Sequence, residues 1–399
     1  PEELTLSVCG EVAMKKKNEK YKMFPIGGGD EIGASCYAVQ MGGERVLLDA
    51  GIRFGAPFGS FPSLLAFLKK WDMDGLWELS AVIISHAHLD HMGALPALMD
   101  ELGTVPVYSS PATLDLMRTY YENFEQHSPA SSGRNIAVRL AATDRLIPKP
   151  YGTTIQTKEL NITLFPAGHI PGAAMTLLED GERRVLYTGD FCDFAQHTVG
   201  AAEFPQTKVD TLICECTCGY RNRSSEGRSN VGLMQRLNAL LDEGSLVECR
   251  VRSIGRAAEL AGVLRECANR GEMPDVDIWV DPDCEAECRV CERWGNPVFK
   301  GRVKLSERMP VRGMRGVRIH ASPASCGGRR VEDRELGLFN HAGCSGILNL
   351  IAHVRPTKVI LVHGSPLTGG VRNIVEEARE RFGTCVEVAH SKNGQEMFV

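Results

Sequence analysis

Residues 81–91 read Ala81-Val82-Ile83-Ile84-Ser85-His86-Ala87-His88-Leu89-Asp90-His91. The first four are apolar, which predicts a short buried strand running into the polar cluster. On an extended backbone side chains alternate in direction, so His86 and His88 face the same way. Asp90 and His91 then turn toward a second position, and four potential ligands within six residues can serve two adjacent metal ions. Imidazole with carboxylate is the donor set that zinc takes while keeping an open position, and the same set accepts manganese. The chain has only 11 histidines in 399 residues. Three of them beside an aspartate, directly after an apolar strand, are not a scatter of surface histidines.

The rest of the chain fits a large α/β enzyme. At 399 residues it is long enough for two or three domains, with 43% hydrophobic and 24% charged residues. No run of about 18 apolar residues suggests a membrane span. Lys15, Lys16 and Lys17 are not followed by an apolar stretch, so no secretory signal is expected. The 14 cysteines are scattered, which fits reduced thiols in a cytoplasmic setting. A net charge of -5 argues against a protein that is basic all over, while leaving room for a local nucleic-acid groove. Strands are expected across residues 23–50 and at 162–165, 175–178, 184–187, 211–214, 359–362 and 386–389. Helices are expected at 64–71, 92–102, 231–241, 257–267 and 371–382.

Two other segments draw notice. From Val298 to Arg330 nine basic residues (Lys300, Arg302, Lys304, Arg308, Arg312, Arg315, Arg318, Arg329 and Arg330) stand against one acidic residue, Glu307. That excess reads either as a solvated face or as a surface that tracks phosphates. His320 lies within it. Cys284, Cys288 and Cys291 form one stripe of a predicted helix, which favours a thiol-lined core face over a metal site. Cys214, Cys216 and Cys218 are expected on one side of a strand, opposite Glu215.

The motif His86-x-His88-x-Asp90-His91 resembles the signature of the metallo-β-lactamase superfamily. Asp49 in Leu47-Leu48-Asp49-Ala50-Gly51, His169 in Ala167-Gly168-His169, and Asp190 in Thr188-Gly189-Asp190 resemble its other motifs, in order. Glu215, His341 and His363 resemble motifs A, B and C of the β-CASP ribonuclease branch, and Gly255-Arg256-Ala257-Ala258-Glu259-Leu260 resembles a helix start of its inserted domain. Within the branch the chain is similar to archaeal cleavage-and-polyadenylation-factor-like endonucleases and to ribonuclease J. The resemblance implies an α/β fold: a metallo-β-lactamase αββα sandwich with an inserted β-CASP α/β domain. The expected division is an N-terminal extension at 1–21, metallo-β-lactamase parts at 22–222 and 336–399, and a reduced β-CASP domain at 223–335.

The resemblance further implies two zinc ions, one on His86, His88 and His169 and the other on Asp90, His91 and His363, with Asp190 bridging them and Asp49 supporting the histidines. Two metals about 3.5–4 Å apart share a hydroxide that attacks phosphorus. His341 then protonates the leaving oxygen, oriented by Glu215. Single-stranded RNA is the implied substrate, with Arg256, Arg329, Arg330 and Asn340 as contacts, and the protein would work as a homodimer or as a subunit of a processing complex. The chain departs from the branch in its short stretch between Glu215 and His341, which leaves little room for a strand before His341. It also has Phe339, Asn340 and Gly343 where motif B has a serine and an acidic residue. A shorter insertion predicts a more open or differently shaped groove. The competing readings are a small-molecule ester or thioester hydrolase on the same fold and a non-catalytic pseudo-nuclease scaffold.

Overall fold

The structure, a computed structural model, describes residues 20–53, 64–127, 133–220, 231–306, 314–322, 325, 327–332 and 338–399. Lys15 to Lys17, Arg308, Arg312, Pro323, Ala324 and Cys326 lie outside the described residues.

The chain begins with β1 (Lys22–Gly27), β2 (Cys36–Met41), β3 (Glu44–Leu48), β4 (Ala81–Ile83), β5 (Val107–Ser109) and β6 (Leu146–Pro148). It then builds β7 (Thr154–Gln156), β8 (Asn161–Pro166), β9 (Ala174–Glu179), β10 (Arg184–Tyr187) and β11 (Thr211–Glu215). Next come β12 (Leu246–Arg250), β13 (Asp277–Val280), β14 (Val303–Leu305), β15 (Gly316–His320) and β16 (Arg329–Glu332). The last strands are β17 (Lys358–Val362), β18 (Glu387–His390) and β19 (Met397–Phe398).

These strands form two seven-stranded sheets, ordered β19-β1-β2-β3-β4-β5-β6 and β18-β17-β11-β10-β9-β8-β7, and one five-stranded sheet, β14-β13-β15-β12-β16. Val39, Val46, Leu48 and Ile83 of the first sheet meet Ile162, Leu178, Tyr187, Ile213 and Val362 of the second in one buried core. A larger core fills the remaining faces with helix residues such as Leu95, Leu116, Leu260 and Ile347. The expected strands and helices stand within a residue or two of their predicted bounds, except that 92–102 divides. Leu89–Met92 and Leu95–Leu102 are separate helices, so Asp90 and His91 sit in a single short turn.

All pairings in the third sheet are parallel. Its strand β16 occupies the stretch before His341 where little strand was expected. Among the described residues, several of its basic side chains are paired with carboxylates. Lys304 pairs with Asp277 at 2.8 Å, Arg302 with Asp275, and Arg315 lies 3.6 Å from Asp242. Arg318 is 1% exposed, and its guanidinium bonds Glu248 at 2.9 Å and Asp281 at 3.0 Å. His320 is buried beside it, with Nδ1 2.9 Å from the Ser322 carbonyl. Arg329 and Arg330 are exposed on β16, at the edge of the sheet. Cys284, Cys288 and Cys291 are buried on the helix Pro282–Trp294, and burial pushes each thiol well above its ordinary range, as expected of core thiols. The strand carrying Cys214 ends at Glu215, so Cys216 and Cys218 do not continue its alternation.

Arg318→Met leaves Glu248 and Asp281 as uncompensated buried carboxylates, so denaturant unfolding should show a loss of about 3–5 kcal/mol. Burial, reinforced by Asp283, pushes the Glu287 carboxyl up to about 7 from 4.5, although it accepts the Gly255 N–H. A carboxyl raised on folding penalises the folded state as it ionises. Stability therefore falls as pH rises from about 4.5 through about 7, with the full penalty above that window. Glu287→Gln should flatten this slope and stabilise the protein at pH 8 by roughly 1–3 kcal/mol, read from melts across pH.

Candidate metal centre and catalytic site

The parallel pairings decide where the polar residues gather. β3 runs parallel to β4, and β10, β11 and β17 run parallel to one another. Their C-terminal ends therefore share one edge. Asp49 follows β3, His86 lies just past β4, Asp190 past β10, Glu215 ends β11 and His363 follows β17. The loop between β8 and β9 adds His169. Gly51 allows the Asp49 turn to sit tightly against the turn of Asp90, since a Cβ there would lie 1.7 Å from the Asp90 carbonyl oxygen.

Two groups of side chains result. His86, His88, His169 and Asp190 bring one ligand atom each into a common spot, and Asp90, His91 and His363 form a neighbouring one. His88 Nδ1 is 3.1 Å from both His86 Nε2 and His169 Nε2. Asp190 Oδ2 lies 3.7 Å from His86 Nε2, 3.7 Å from His169 Nε2 and 3.4 Å from His91 Nε2. Its Oδ1 is 3.3 Å from His363 Nδ1, yet buried without a hydrogen bond. His363 Nε2 is 3.2 Å from Asp90 Oδ2.

The outward nitrogens of the rings are held by protein partners. Ser85 Oγ lies 3.0 Å from His86 Nδ1, Asp49 Oδ2 2.8 Å from His91 Nδ1, and the Asn340 carbonyl 2.8 Å from His169 Nδ1. Thr217 Oγ1 is 2.9 Å from His363 Nδ1, and the Ile254 carbonyl is 3.0 Å from His88 Nε2. Asp49 also accepts the backbone N–H and hydroxyl of Ser85 and the Tyr187 hydroxyl, at 2.6–2.7 Å. Asp49 and His363 both adopt left-handed backbone, with φ of 61° and 49°. Such strain in non-glycine residues gathers at functional sites.

Burial and the neighbouring imidazoles hold His86 and His169 well below the ordinary histidine range, in the neutral form that a metal ligand requires. Burial opposes ionisation of Asp190, but the surrounding histidines outweigh it and keep the carboxyl well below its usual range. Imidazole nitrogens facing each other at 3.1 Å beside Asp190 Oδ2 fit a divalent cation between them, and the Asp190 Oδ1 that faces His363 is buried without a hydrogen bond. Ligands about 2.0–2.1 Å from a tetrahedral zinc stand only slightly farther apart than this.

Beside these groups lies a third, Asp190, Glu215 and His341. Glu215 is fully buried and accepts the N–H groups of Phe191 at 3.0 Å and Thr217 at 3.1 Å. Its Oε1 is 2.9 Å from His341 Nδ1. Burial disfavours protonation of His341, but Glu215 and Asp190 prevail and push it up to about 9. Its side chain keeps 18% exposure, toward a cleft lined by Asp90, Asp190, Arg252, Arg256 and Asn340.

Every histidine and carboxylate proposed from the sequence as a ligand is therefore within this site, with Asp49 behind it. Arg256 and Asn340 line the cleft; Arg329 and Arg330 are not among its described lining. The sequence reading missed Ser85, Thr217, Arg252 and the Ile254 carbonyl. Ser85 was legible as the polar residue before His86. The carbonyl had no signal, because a backbone contact made 166 residues away leaves no mark on composition.

Comparison with known proteins agrees with this geometry. Residues 29–191 match the Metallo-beta-lactamase superfamily. The chain is 31% identical over 283 residues to Endoribonuclease ysh1 of Aspergillus fumigatus, covering 68% of this chain and 32% of that protein. It is 32% identical over 277 residues to Transcription termination factor FttA of Methanothermobacter thermautotrophicus, covering 67% and 43%. It is 31% identical over 250 residues to Integrator complex subunit 11 of Danio rerio, covering 61% and 42%. The chain thus spans between 32% and 43% of the length of these relatives. A crystal structure of a protein of unknown function from Enterococcus faecalis shares the fold, with a TM-score of 0.57, 14% identity, and coverage of 95% of this chain and 100% of that one. With these histidines and carboxylates at the shared edge of two stacked sheets, residues 29–191 carry a metallo-β-lactamase domain, and the chain is similar to the endoribonucleases named above.

Proposed function

We propose that this chain is a metal-dependent ribonuclease that hydrolyses phosphodiester bonds in single-stranded RNA. The observation that carries the reading is His341, held by Glu215 at 2.9 Å and opening onto the same cleft as the two ligand groups. His86, His88 and His169 would hold one ion, Asp90, His91 and His363 the other, and Asp190 would serve both. Zinc suits the donors, and manganese is compatible with them. Two such ions, when bound, activate water and offset charge on phosphoryl oxygens.

The protein groups supply the rest. His341, protonated and fixed by Glu215 through Nδ1, presents Nε2–H to the leaving oxygen. Arg252 and Arg256 supply positive charge along the cleft for the flanking phosphates. Asn340 stands where the branch has other polar residues and contacts phosphate in their place. Residues 223–335 act as the substrate-facing insertion between the metallo-β-lactamase parts at 22–222 and 336–399. One relative is named as a subunit of the Integrator complex, which supports action within a processing complex. No helix of the described residues is long and apolar enough to cross a membrane. Free, buried thiols such as Cys36, Cys249 and Cys288 suit a reducing, cytoplasmic setting.

Metal-loaded protein should cleave 5′-labelled single-stranded RNA. Asp90→Ala should abolish cleavage, and His341→Ala should slow it about 10²–10⁴-fold. Intact RNA beside hydrolysis of a thioester or lactone would refute the ribonuclease reading. Failure to act on either substrate while two metal ions are retained would favour a scaffold. A fragment ladder means internal cleavage, and released mononucleotides mean action from an end. Asp49→Asn disturbs the orientation of His91 and Ser85, so metal retained after dialysis should fall, with affinity about 10–100-fold weaker.

A further inference from the structure

We infer that Glu287 is a positioning residue that sets the metal ligand His88 through a single peptide group of the insertion. The inference rests on the reading of His86, His88 and His169 as ligands. Four of the five ligand imidazoles take their outward partner from Ser85, Asp49, Asn340 or Thr217. His88 instead takes the carbonyl of Ile254, at 3.0 Å. The peptide that supplies this carbonyl has the Gly255 N–H at its other end, and that N–H donates to Glu287 Oε1 at 2.6 Å. Carboxylate, peptide and imidazole thus form one hydrogen-bonded line ending at the Nδ1 that faces His86 and His169.

A side-chain oxygen that accepts on the N–H side, carboxylate or amide, orients the peptide and makes its carbonyl a stronger acceptor. That holds the proton on Nε2, turns the ring, and leaves Nδ1 as the ligand atom. Glycine is what lets the peptide sit here. Gly255 has φ +85°, and a Cβ there would come within 3.0 Å of Ile170 Cγ2. The helix carrying Glu287 is anchored outside the third sheet, with Arg293 and Trp294 bonding Asp115 at 2.9 and 2.8 Å. The neighbouring helix, Arg256–Asn269, is fastened by Glu259, which accepts from His197 N at 3.0 Å and from Thr198 N and Oγ1 at 2.9 Å. The insertion therefore completes the metal centre as well as facing the substrate.

The test is cobalt(II) titration of metal-free full-length protein, followed by absorption spectrum and by the number of ions bound. Glu287→Leu should weaken one of two cobalt ions about 10–100-fold and change its spectrum, leaving the second ion unaltered. Glu287→Gln, whose amide oxygen still accepts from Gly255, should stay within about threefold of wild type. Wild-type affinity and spectrum at both ions in Glu287→Leu would overturn the inference. So would an equal loss in Glu287→Gln. If Glu287→Leu fails to fold by circular dichroism, Glu287→Asp decides. Its shortened carboxylate should reproduce the one-ion loss, and unchanged binding would overturn the proposal. Wild-type protein that takes up no cobalt would remove the ligand reading itself, a result distinct from two ions bound equally by all variants.

Discussion

Five imidazoles can crowd into one buried pocket only because each has its outward nitrogen committed to a protein partner. Without Ser85, Asp49, Asn340, Thr217 and Ile254, nothing would fix which way each ring turns or which of its nitrogens faces the centre. The strand ends, the left-handed turns at Asp49 and His363, and the close seat of Gly51 all serve to deliver these partners. Asp190 is held among these rings with one oxygen free of hydrogen bonds, as a carboxylate shared with a cation would be, so the walls of the pocket must be stiff. Two stacked sheets with an apolar core between them provide that stiffness.

The division of charge between the two halves of the site is equally telling. His86 and His169 are kept neutral by burial and by each other's surroundings, whereas His341 is kept protonated by Glu215 and Asp190. His86 and His169 are thus prepared to donate electron pairs, whereas the rings that face carboxylates, His341 together with His91 and His363, are drawn toward the protonated form. Both conditions arise within one cleft because Asp190 borders both groups.

Much of the site was readable because its residues lie in local signatures. His86, His88, Asp90 and His91 fall in one turn, and apolar runs such as Val359 to Val362 mark the strands that carry the others. The less readable parts have physical reasons. The helices Pro111–His127 and Gly133–Asp144 are of mixed polarity, so periodicity gave them no signal. The basic run from Lys300 to Arg330 looked like a surface, yet Arg318 is at the centre of a sheet. A charge can be buried when Glu248 and Asp281 meet it, and those residues lie 70 and 37 positions away in the chain. Sequence proximity reports composition; ion pairing reports the fold.

The pairing of β11 with β17 joins residues 211–215 to residues 358–362, with the whole third sheet in between. His363 meets Asp90 across 273 positions. Contacts this distant form late, because the intervening chain must first give up its freedom. On a ribosome, the histidines of the first group are already made when His363 is still to be synthesised. The two groups of side chains can therefore meet only after the third sheet has been made. Connectivity thus sets an order of assembly, in which the site closes only once His341 and His363 have been made.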